Sequence, residues 1–127
     1  MANGAGYDFT MPEKDTFYES NCPILHTLEV IGGKWKLPIV WNLATAKVVR
    51  YNELRRSLRN ITNIMLTKCL RELEKDGLVH RVQYDEVPPR VEYSLTEDGL
   101  RLLPSLNSLY EWGEVHQLKT RGKRRLS

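Results

Sequence analysis

The chain has 127 residues, 41% of them hydrophobic and 28% charged, enough apolar material for one globular core. No run approaches the ~20 apolar residues of a membrane span, the N-terminus lacks a secretory apolar stretch, and two cysteines are too few for a secreted disulfide framework. These features read as a cytoplasmic chain with reduced thiols and no membrane partner. The net charge of +3 is unevenly spread: residues 47–81 hold nine Lys/Arg against four Asp/Glu, and residues 118–127 hold five against none. Such clusters either form a solvated basic surface or meet phosphates.

In chain order, residues 1–16 mix Gly, Asn, Asp, Pro and Lys without periodicity and are expected to form a flexible arm. Cys22-Pro23 starts a helix with Ile24, Leu25, Leu28 and Ile31 on its apolar face, and Gly32-Gly33 interrupts it. The next helix begins near Lys34 and carries Trp35, Leu37, Ile39, Val40, Trp41 and Leu43. It is apolar on so many sides that it is expected to be the central core helix, with Pro38 tolerated only in its first turn.

A short helix then opens at Tyr51-Asn52-Glu53 with Asn52 as its cap, Leu54 and Leu58 inward, and Arg55, Arg56 and Arg59 outward. After a turn at Asn60-Ile61, the segment TNIMLTKCLRELEKDG predicts a helix over residues 62–76. Thr62 caps its start and Gly77 marks its stop. Leu66, Leu70 and Leu73 share one stripe, Cys69 lies at the margin of that stripe, and Ile64, Lys68, Arg71 and Lys75 project on the opposite side. Two strand-like runs follow, LVHRVQY and RVEYSL, joined by DEVPP. Helix, turn, helix and hairpin in this order predict a winged helix-turn-helix, whose second helix enters the DNA major groove.

Thr96 caps a last helix whose face of Leu102, Leu103, Leu106, Leu109, Tyr110 and Gly113 exceeds what so small a domain covers, so a second copy is expected there. The fold class is therefore α+β, mainly α, with a two-stranded wing over residues 78–95 and terminal dimerisation helices. The domain spans residues 17–117, and residues 118–127 form a basic tail expected to be disordered alone.

Asn63 and Thr67 lie early enough in the reading helix to meet base edges, together with Lys68 and Arg71. Asn pairs bidentately with adenine, Arg or Lys with guanine, and Ile64 suits a thymine methyl. Asn52 and Thr62, at the starts of the two helices, complete this set, while Arg55 and Arg56 suit phosphates. For each of these the alternative is simple solvation on an exposed helix face. Arg90 at the wing either enters a minor groove or pairs with Glu92 or a neighbouring carboxylate. Cys22 is either a thiolate stabilised by a helix N-terminus or a small buried core residue. His26, His80 and His116 are scattered, so no metal or other cofactor is expected. Without a phosphate loop, nucleophile elbow or paired carboxylates in context, neither is an enzyme. The competing class is a winged-helix module that serves a protein partner without specific DNA binding.

Several segments, CPI at 22–24, IGGKWK at 31–36, NELRR at 52–56, MLTKCLRELEKDGLVHR at 65–81, EVPPRVEYSLTEDG at 86–99 and WGE at 112–114, together resemble the HxlR-type regulators, winged helix-turn-helix proteins akin to the MarR group. The resemblance covers residues 22–116. It implies a homodimer on a pseudo-palindromic operator in double-stranded DNA, and, through Cys22, a small electrophile or oxidant as effector. Ile64 and Cys69 depart from the polar residues frequent at their places in that family, so the operator sequence does not carry over.

Overall fold

Leucines at helical spacing seat the element around which the fold is arranged. The computed structural model describes residues 22–126, with side chains through Arg121. The arm expected over residues 1–16 lies outside the described residues. The chain divides into two units at Gly32 and Gly33. In the first, α1 (Pro23–Ile31) has Cys22 as its N-cap and Pro23 at its first position, where a missing N–H costs nothing. The Gly32 N–H closes it by donating to the Leu28 carbonyl at 2.8 Å. Ile31 is buried, while Ile24 and Leu28 are exposed.

The second unit starts from α2 (Lys36–Ala46), which buries Ile39, Val40 and Leu43. Its start at Lys36 puts Pro38 within the first turn, as the sequence requires. The following strand β1 (Val49–Arg50) was not legible as a strand, since two residues carry no period. Because Arg50 is still extended at the end of β1, α3 (Tyr51–Ser57) starts one residue before the expected cap. Arg50, not Asn52, is the N-cap, and its N–H donates to Glu53 Oε1 at 3.1 Å. Asn60 makes the next turn at φ +73°, a left-handed conformation Asn tolerates, and Ile61 behind it is buried.

Helix α4 (Asn63–Lys75) follows, with Thr62 Oγ1 accepting from the Met65 N–H at 3.1 Å. Leu66, Cys69, Leu70 and Leu73 are buried. Gly77 at φ +81° ends it, and the Leu78 N–H reaches back to the Leu73 carbonyl at 2.9 Å. The hairpin of β2 (Val79–Tyr84) and β3 (Arg90–Leu95) pairs Val79 with Leu95 through Tyr84 with Arg90. Strand β1 adds to the free side of β3, so the sheet is three-stranded and antiparallel in the order β1-β3-β2, one strand more than expected. Helix α2 contacts α3, α4 and β3, and is the central core helix.

The single last helix of the sequence reading is two. Helix α5 (Glu97–Arg101) ends at Leu102 because Pro104 follows, and α6 (Leu103–Leu126) restarts there with Pro104 in its first turn. Thr96 accepts from the Gly99 N–H at 3.1 Å and donates to the Gly77 carbonyl, tying the end of α4 to the start of α5. A side chain at Gly99 would collide with the Leu78 carbonyl, which explains glycine inside this short helix. Helix α6 continues through the segment expected to be disordered from residue 118. Its Lys and Arg residues are good helix formers and lie at the end where the helix dipole favours cations. No helix among the described residues is long and apolar enough to cross a membrane.

Truncating Leu70, which is buried at the centre of the α4 stripe, is expected to cost about 2–5 kcal/mol through lost burial and the cavity left behind. Urea unfolding of Leu70→Ala measures this, and a loss near zero would mean α4 is not seated through that stripe.

Candidate nucleic-acid interface

The face of α4 opposite its leucines is polar and open. Asn63, Ile64, Lys68 and Arg71 are exposed, Thr67 is half-buried, and these five line one shallow surface depression with Glu72 at its edge. Ile64 is 83% exposed on this face. A second depression, lined by Arg55, Arg56, Arg59 and Asn60 together with Thr62 and Asn63, runs from α3 across the turn onto the start of α4. Asn52 is exposed in the first turn of α3. The two helices thus bring together the residues the sequence singled out on them except Asn52, which lines a separate depression with Arg90 and its neighbours in the hairpin.

Among the described residues, no carboxylate pairs with Arg55, Arg56, Arg59, Lys68 or Arg71. The cations that do form ion pairs are Lys36, Arg90 and Arg101. Five exposed side chains of one sign on adjacent helices repel one another, and an anion brought to them relieves that repulsion.

Arg90 is otherwise employed. The hairpin register sets it opposite Tyr84, over whose ring its guanidinium lies at 4.1 Å, and it pairs with Glu86 at 3.1 Å and Glu92 at 3.5 Å. Of the two readings of this residue, the paired one describes the structure. Arg90 fastens the hairpin tip and is not a free cation reaching outward. Arg81 instead supplies an exposed cation from β2, beside Arg71 and Thr67 of α4 and bonded to Gln83 at 3.2 Å.

Tyr51 is a second residue, after Arg81, that sequence reasoning missed. From the first position of α3 its hydroxyl lies 3.1 Å from Asn63 Oδ1, 3.3 Å from the Asn63 carbonyl oxygen and 3.3 Å from Thr67 Oγ1. Nothing in local periodicity marks a contact across 12 and 16 residues. The signal available was only that an aromatic with a polar tip opens a helix.

Below this surface, Lys36 of α2 is buried and its Nζ reaches Glu72 Oε1 of α4 at 3.0 Å. The hydrogen bond from Lys36 holds the Glu72 carboxyl below the ordinary carboxylate range, with the nearby Lys68 and Lys75 charges acting the same way. Cys69 sits beside this pair. Burial pushes its thiol up, partly offset by the Lys36 charge, so it remains a neutral, poorly nucleophilic thiol. Cys22 is free and 1% exposed, which matches the small buried residue of the two readings in its surroundings and the helix N-terminus in its position.

Comparison with known proteins places the same text in regulators. A family model described as HxlR-like helix-turn-helix matches residues 30–121. The HTH-type transcriptional regulator YybR of Bacillus subtilis is 51% identical over 109 residues, covering 84% of this chain and 86% of that protein. Among solved structures, the redox regulator HypR in its oxidized form is 52% identical with a TM-score of 0.69, covering 74% of this chain and 96% of that one. Its reduced form is 50% identical with a TM-score of 0.72, covering 76% and 94%.

Because the Glu72 carboxyl titrates lower in the folded chain than in the unfolded one, its contribution to stability is present above the ordinary carboxylate pKa and is lost as pH falls through the lowered value. The stability advantage of the wild type over Glu72→Gln is therefore expected at neutral pH and should close on acidification. A gap that stays constant from neutral pH to acid would show that the Lys36 contact does not depend on the carboxylate charge.

Proposed function

Since the chain belongs to the HxlR-like helix-turn-helix family and is a transcriptional regulator of winged-helix fold, we propose that it acts as a homodimer on operator DNA, with α4 in the major groove. The observation that carries this reading is the set of five exposed, unpaired cations on α3, the turn and α4, contiguous with Asn63, Ile64 and Thr67. Arg55, Arg56 and Arg59 meet phosphates and fix the docking, which sets position without reading sequence. Lys68 and Arg71 carry donors to base edges, and Ile64 lies where a thymine methyl would cover it. Asn52 and Thr62, at the starts of the two helices, approach the backbone.

The homodimer is supported by α6. Leu109 and Trp112, with the His116 ring stacked on Trp112 at 4.7 Å, follow one exposed stripe, and Trp112 is 65% exposed. The other side of that helix is engaged within its own unit, where Tyr110 stacks on Trp41 at 5.0 Å. A two-fold axis through the outer stripe covers it and presents two reading helices to successive turns of a pseudo-palindromic duplex.

A second element of the reading concerns Cys22, and the similar redox regulators support it. Peroxide converts a thiolate to a sulfenic acid, the oxidant being reduced to water, and a quinone alkylates it. The buried sulfur reacts only after local opening, and either product, larger and more polar than a thiol, no longer fits the closed site at the start of α1. Switching of DNA affinity follows from that misfit.

Titration against the intergenic DNA upstream of the protein's own gene tests the operator reading. Arg71→Ala is expected to weaken binding by about 1–3 kcal/mol and relax base preference, and Arg56→Ala to weaken it evenly and reduce the salt slope by about one. Salt-independent binding, or variants indistinguishable from wild type, would instead favour a surface that serves a protein partner. For the switch, peroxide or quinone treatment should change the DNA affinity of the wild type and leave Cys22→Ser unaffected. An equal response in both would remove Cys22 from sensing.

A further inference from the structure

We infer that Tyr51 is a specificity-determining positioning residue: it turns the Asn63 amide so that Asn63 offers the groove two N–H donors and reads guanine, not adenine. The inference rests on the operator reading above and goes beyond it, because it assigns a base to a side chain through a third residue.

A phenol has one proton to give. The shortest of its three approaches in α4 is to Asn63 Oδ1 at 3.1 Å, against 3.3 Å to the Asn63 carbonyl oxygen and 3.3 Å to Thr67 Oγ1. When the phenol donates to Oδ1, the Thr67 hydroxyl donates in turn to the phenol oxygen, and the three groups form a short chain of hydrogen bonds along the first turn of α4. In that chain the amide oxygen faces Tyr51. The Nδ2 group, on the opposite branch of the planar amide, faces away from it on an exposed residue.

An asparagine pairs bidentately with adenine by accepting from N6 and donating to N7, which needs oxygen and nitrogen both aimed at the base. With the oxygen engaged by Tyr51, only donors point outward. Guanine alone presents two adjacent acceptors, O6 and N7, in the major groove, and a pair of donors matches that edge. The adenine pairing expected for Asn63 from residue type alone is thereby replaced.

The test is binding of the full chain to its upstream intergenic DNA with each base pair of the protected site varied in turn. Asn63→Ala identifies the base pair whose preference depends on Asn63. There the wild type is expected to favour guanine over adenine by about tenfold, and Tyr51→Phe, which frees the amide to rotate, to reduce that ratio below about threefold. A merely structural role for Tyr51 would lower affinity for all sequences evenly and leave the ratio intact. Should Tyr51→Phe fail to fold, a crystal structure of the wild type on its site serves in its place: Asn63 Oδ1 bonded to Tyr51 with Nδ2 against guanine is expected, and an amide whose oxygen faces the base would overturn the inference. An adenine preference in the wild type, an unchanged ratio in Tyr51→Phe, or no base preference traceable to Asn63 would overturn the inference while leaving the operator reading standing. Failure of the wild type to bind any such DNA would overturn both.

Discussion

Burial of Leu66, Leu70 and Leu73 along one side of α4 determines what its other side is free to present. Each fully buried leucine contributes roughly 1.5–3 kcal/mol of transfer free energy, against about 1 kcal/mol for a good N-cap such as Thr62. The stripe therefore fixes the rotation of α4 about its own axis, and the caps only fix its ends. Once the stripe is seated, Lys68 and Arg71 have no direction but outward. The cationic surface is a consequence of the core pattern and needs no separate device.

Charge is sorted by the same logic. Lys36 is buried and must have a partner, and Glu72 on α4 supplies it, linking the core helix to the underside of the candidate interface. Arg90 is drawn to the hairpin by Tyr84, Glu86 and Glu92. Among the described residues, the cations of α3, the turn and the outer face of α4 are left without carboxylates, as is Arg81 of β2 beside them. A surface composed in this way attracts anions from a distance, and beside it Tyr51, Asn63 and Thr67 are tied to one another by hydrogen bonds.

Much of this was legible in the sequence because helix periodicity, caps and stops are local. Thr62, the leucine stripe and Gly77 delimit α4 within a residue, and the hairpin strands are found where alternation predicts them. What escaped was either too short to have a period or held by distant partners. Strand β1 has two residues and exists only through its pairing with β3, and its extended Arg50 displaces the expected cap at Asn52. Pro104 breaks a helix whose apolar pattern runs on without interruption, and the basic residues after 117 extend a helix that composition alone reads as a disordered tail. At the site, residue type pointed Arg90 and Asn63 toward DNA. Their neighbours, set by strand register and by the packing of α3 beside α4, determine how each side chain is oriented.

The central claim is that the outer face of α4, with α3 beside it, is where the duplex sits. Mapping amide chemical-shift changes on the isotope-labelled protein during titration with its operator fragment tests it most directly. The account predicts that the largest changes fall on Asn63 to Arg71 and on Arg55 to Asn60, with α6 little affected beyond its dimer contacts. Changes confined to α6, or spread without focus while α4 stays silent, would contradict it.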